Sequence, residues 1–107
     1  MPLVRIEYDN AKVSDKEAST LSEAVQSVVS SVTGIEDVFV YANSSHIKVK
    51  VAPIEVFVEM SASKITDVDE LTMKIKSALG VWKKDSDFSH PINLTVIPMN
   101  WKVEIAI

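Results

Sequence analysis

The chain has 107 residues, 47% of them hydrophobic, with 11 basic against 15 acidic side chains and a formal net charge of −4. That length allows one domain with a real core but leaves much surface that oligomerisation would bury. The acidic balance argues against general nucleic-acid binding, and the lack of cysteine excludes disulfides, a thiol nucleophile and thiolate zinc sites.

No apolar run approaches the roughly 20 residues that cross a bilayer, and the amino terminus carries neither the charged segment nor the apolar run of a signal peptide. A cytoplasmic location with no membrane partner is the expectation. Residues 3–8 alternate, with Val4, Ile6 and Tyr8 on one face and Leu3, Arg5 and Glu7 on the other, which is a strand period. After a polar break, Ser14 and Glu17 have capping-box spacing. The helix they open carries Ala18, Leu21, Val25, Val28, Val29 and Val32 on one stripe, and Gly34 stops it. Its many valines predict that packing, rather than propensity, holds it. Strands are then predicted at 37–42 and 46–51, separated by Asn43-Ser44-Ser45. Ala52-Pro53 interrupts, and a further strand follows at 54–60.

From Pro53 the pattern repeats. Pro53 opens a strand as Pro2 does, and Thr66 to Asp69 read as a second capping box. The second stripe, Val68, Leu71, Ile75, Ala78, Leu79 and Trp82, lies 50 positions after the first, residue by residue. Gly80 predicts a frayed last turn, 85–90 a loop, 92–97 a strand, and 101–107 a short terminal strand. The expected fold is α/β: two pseudo-symmetric β-α-β units, about 1–51 and 52–107, in one domain. They form a four-stranded mixed sheet with both helices on one face, since β-α-β crossovers are right-handed and pair their strands in parallel. The other face needs a cover. The short segments 46–51 and 101–107 suit contacts with neighbouring subunits, and a homotrimer is expected.

Met1-Pro2 at the start of a strand, the polar turn holding Lys12, Thr33-Gly34 closing the first helix, and Ser61-Ala62-Ser63-Lys64 after the third long strand resemble the tautomerase superfamily. Nearly the whole chain follows its element order, as in the macrophage migration inhibitory factor group and 5-carboxymethyl-2-hydroxymuconate isomerases. Each half resembles one 4-oxalocrotonate tautomerase subunit. The resemblance implies a cofactor-free isomerase of small 2-oxo or 2-hydroxy-dienoate acids, with Pro2 as catalytic base. It also implies substrate contacts at Lys12, where the 4-oxalocrotonate tautomerases carry an arginine, and at Lys64, in the loop beside the catalytic proline. Two of the family's basic positions are Phe39 and Ile35 here, and its tyrosine and asparagine positions fall near Asn93 and Thr95.

The chemistry needs a free amine. A small second residue lets aminopeptidase remove Met1, exposing a secondary amine whose ordinary pKa is near ~7.7–8.0. Burial and nearby cations lower that value and suit the amine to act as a base; cations then hold the substrate carboxylate. With Met1 retained, Pro2 is an amide and has no basic nitrogen. Each candidate also has a plainer role: Pro2 as a strand-start proline, Lys12 as a solvated turn residue, Lys64 as the residue before a cap. Phe39 and Trp101 suit a core or subunit interface as well as a pocket wall. Arg5 is expected on the opposite face from Pro2, paired with Glu7 or Glu55. His46 and His90 lack companions for a metal site, and no cofactor is expected. Competing readings are a non-catalytic trimer of the same fold and, more weakly, a ferredoxin-like βαββαβ module with its halves antiparallel at the centre.

Overall fold

Alternation sets the first strand. In the computed structural model, which describes residues 1–107, β1 (Leu3–Tyr8) buries Val4 and Ile6 completely, while Leu3, Arg5 and Glu7 lie on the opposite face. Helix α1 (Asp15–Thr33) begins at a complete capping box. Ser14 Oγ accepts from the Glu17 N–H at 3.0 Å, and Glu17 Oε1 accepts from the Ser14 N–H at 2.9 Å. Ala18, Leu21, Val25 and Val29 are buried, with Val28 and Val32 packed at the margin. Gly34 ends the helix at φ 72, its N–H donating to Ser30 O, a left-handed turn that glycine adopts without a Cβ penalty.

Strands β2 (Phe39–Asn43) and β3 (Ile54–Ser61) come next. A 3₁₀ turn (Ala62–Lys64), helix α2 (Val68–Ser86) and strand β4 (Asn93–Met99) complete the order. The sheet runs β2-β1-β3-β4. β1 is parallel to β2 and β3 is parallel to β4, while β1 and β3 meet antiparallel at the centre. A ferredoxin-like module shares that antiparallel centre, but its β-α-β units are split by an intervening strand; here each crossover joins adjacent strands. Both helices cover one face, and a single cluster of 13 buried residues draws on both halves. No helix is long and apolar enough to cross a membrane.

Several expectations are corrected. Residues 46–51 and 101–107 form no strand, because nothing in the chain offers them a ladder partner. Ile47 and Val49 are 82% and 100% exposed, Ile105 80%. Lys48 instead ties its segment down, donating to Asn10 Oδ1 at 2.8 Å and Ser44 Oγ at 3.0 Å. The cap of α2 is Asp67 rather than Thr66: its Oδ1 accepts from the N–H groups of Asp69 and Glu70, and aspartate caps better than threonine. Nor does α2 fray at Gly80. It runs on to Ser86, because Leu79 is buried and Trp82 packs on Phe88 with ring centroids 5.0 Å apart. Asp87, at φ 56, closes it.

Candidate active site

Register decides which candidates meet. Leu3 pairs with Phe39 on one side and Glu59 on the other, so Pro2 lies one step beyond, opposite Met60. Its ring is under 2% exposed, and its carbonyl accepts the Phe39 N–H at 3.2 Å. Phe39 itself lies on the open face, 45% exposed. Lys64 follows the end of β3, and Trp101 follows the end of β4, which runs alongside it with Ser61 opposite Met99. Pro2, Phe39, Lys64 and Trp101 therefore gather at one end of the sheet.

Lys12 does not. It follows the far end of β1, roughly 20 Å from Pro2 at ~3.3 Å per strand residue. There the Asp9 N–H donates to the carbonyl of Pro53 at 3.0 Å. Because β1 and β3 are antiparallel, the internal repeat puts Lys12 near Pro53, as Lys64 is near Pro2. Arg5 lies on the open face as expected but pairs with neither Glu7 nor Glu55. Its guanidinium donates to Glu59 Oε1 at 2.9 Å and stacks 5.0 Å above the Phe57 ring. Phe57 is its register partner and Glu59 the diagonal neighbour, both within reach of a long side chain.

On the helix side of the Pro2 end lies a cleft of about 200 Å³, lined by Val32, Thr33, Met60, Lys64, Ile65 and Leu71, with Asp67, Glu70 and Lys74 beyond them. Pro2 does not line it; Met60, its register neighbour across β1 and β3, does. Met60 was not among the sequence candidates, and no local signal marks it, since only the β1–β3 register puts it beside Pro2. A second cleft of about 230 Å³ opens at the Pro53 end between Glu7, Tyr8, Lys50 and Glu55. No cluster of three or more metal-ligating side chains forms.

The strand order agrees with solved structures. A 5-carboxymethyl-2-hydroxymuconate delta-isomerase superposes with a TM-score of 0.68 at 14% identity, covering 100% of this chain and 87% of its own. The chain has the tautomerase fold. A macrophage migration inhibitory factor-like protein from Entamoeba histolytica matches at TM-score 0.60 and 17% identity, over 96% of this chain and 95% of its own. A probable enzyme from the thermophilic fungus Aspergillus fumigatus matches at 0.58 and 14%, over 98% and 82%. No family model matches the sequence, and no curated protein sequence matches it. The tautomerase fold is thus carried by architecture at very low identity.

Proposed function

We propose that, once Met1 is removed, Pro2 is the general base of a cofactor-free tautomerase acting on small 2-oxo or 2-hydroxy-dienoate acids. The observation that carries this reading is the buried Pro2 ring at a sheet end shared with the unpaired cation Lys64. Burial disfavours the protonated amine, which is the direction general base work needs. The nitrogen takes a proton from the enol oxygen or from the carbon beside the carbonyl and returns it elsewhere along the conjugated system. The electron pair moves within the substrate, so no oxidant or reductant is consumed. Lys64 holds the carboxylate and the developing negative charge; Trp101, and Phe39 from the open face of the same sheet end, border the site. Lys12, remote within its own chain, serves only from a neighbouring subunit of a homotrimer.

The test is ketonisation of phenylenolpyruvate, followed by ultraviolet absorbance, with Met1-free protein and its Pro2→Ala variant. Loss of the rate by roughly 10²-fold or more in the variant supports the reading, and equal rates sink it. A second reading is favoured by the same burial: with Met1 attached, Pro2 is an amide and inaccessible, which suits a non-catalytic trimer that binds other proteins. The mass of the amino-terminal peptide from native protein separates the two.

A further inference from the structure

Helix α2 carries an exposed row that no other part of the chain covers. Glu70, Met73, Ser77, Gly80 and Lys84 are all exposed, and their alternating spacing of three and four residues sets them along one side of the helix. Met73 and Val81, on the same side, are 56% and 60% exposed. They border an open groove of about 560 Å³ between α2 and α1, which Val32 and Ala78 also line. Nothing within the chain asks for glycine at position 80. A Cβ there would meet no atom within 4 Å, and alanine is the better residue inside a helix. A closely packed neighbouring helix would ask for it. The row is also oppositely charged at its two ends. Lys84 takes part in no ion pair. Glu70 gives Oε1 to Lys74 at 2.9 Å, with both side chains 60% exposed, a pairing worth little.

We infer that α2 docks antiparallel on the α2 of a second copy of this chain, about a two-fold axis beside Ser77. A two-fold contact must be self-complementary, residue i meeting j while j meets i. An antiparallel pair centred on Ser77 meets that condition, because Glu70 and Lys84 stand at equal distances on either side of it. Glu70 then faces the second copy's Lys84, and Lys84 faces the second copy's Glu70. Met73 falls opposite the second copy's Gly80 and Val81, an adaptable side chain against a gap. A parallel pair would set Glu70 against Glu70 and Lys84 against Lys84, which is unfavourable. The row lies on the helix side of the sheet, so this contact and a trimer formed through the open face use different surfaces. A helix pair roughly 22 Å long is at the low end of specific interfaces, below about 1,200 Å². The pairing is therefore weak, forms at high concentration and joins whole assemblies.

The absence of cysteine makes the test direct. Ser77→Cys and Lys76→Cys, the second turned roughly 100° away around the helix, are oxidised mildly at high micromolar concentration. Ser77→Cys is expected to form disulfide-linked chain pairs about tenfold faster or more, since only its thiols face each other across the axis. For the unaltered chain, X-ray scattering at that concentration should give twice the mass found at low micromolar concentration, whether the smaller species holds one chain or three. Glu70→Lys or Lys84→Glu alone should return the mass to the lower value. The two together should restore the doubling, because the exchanged charges face each other again. Equal crosslinking of the two cysteine variants, a mass that does not rise with concentration, or a folded double variant that fails to double overturns the inference. Should a charge variant unfold, the cysteine comparison decides.

Discussion

The Phe39 N–H donates to the carbonyl oxygen of Pro2 at 3.2 Å, so the first residue of the β1 end is tethered through its carbonyl rather than through its nitrogen. Proline has no N–H to contribute. The tether therefore survives whether or not Met1 is attached, and Met1 is itself 43% exposed. Met1-bearing and Met1-free forms are expected to unfold in urea within about 0.5 kcal/mol of each other, while only the Met1-free form ketonises substrate. A gap of several kcal/mol would make Met1 part of the fold and count against its removal in function.

The core tolerates truncation poorly. Leu21 is fully buried between α1 and the sheet, and Leu21→Ala should cost about 2–5 kcal/mol. Chemical denaturation of the two proteins checks it; a loss below ~1 kcal/mol would mean that the site collapses around the missing atoms.

Acid should weaken the fold through two carboxylates. Glu17 is held below its ordinary 4.5, chiefly by the Ser14 backbone N–H it accepts and then by His90, whose Nε2 lies 2.7 Å from its second oxygen. Asp9 is held below 3.8, first by the Ala11 backbone N–H and then by Lys48. A lowered folded-state pKa stabilises above the ordinary value, and that contribution is lost as pH falls through it toward the folded one. Unfolding free energy should therefore fall from about pH 5 downward, and less steeply in Glu17→Gln. An unchanged slope in that variant would remove Glu17 from the account.

Assembly is the remaining test. Val49, Ile105 and Ile107 are almost wholly exposed in the single chain, at an energetic cost of roughly 25 cal/mol per Å² of apolar surface left in water. Sedimentation equilibrium at micromolar concentration is expected to give three times the chain mass, and Val49→Asp should shift it toward one. A monomeric wild type would also remove Lys12 from the site altogether.

Much of the architecture was legible because it is local. Val4, Ile6, Leu21, Val25 and Val29 declare their faces by period, Ser14 and Glu17 declare a helix start, and Gly34 declares its end. The cap at Asp67 and the persistence of α2 beyond Gly80 were less legible. In the first, adjacent residues of similar type compete for one role. In the second, the packing of Leu79 and Trp82 outweighs a weak propensity. Strand character at 46–51 and 101–107 was visible as alternation, but alternation without a partner strand does not make a ladder.

What the amino-acid order determined alone is the repeat, the two amphipathic helices, the alternating strands and the placing of a proline at the head of the first one. These rest on interactions spanning a few residues. Only the tertiary structure decided that Lys64, Phe39 and Trp101 share an end with Pro2, that Lys12 belongs to the opposite end, and that Met60 is the proline's neighbour. The Pro2–Met60 pairing and the place of Lys64 follow from the antiparallel register of β1 on β3, between residues 46 to 56 positions apart, and those of Phe39 and Trp101 from β2 beside β1 and β4 beside β3. No local pattern encodes these alignments.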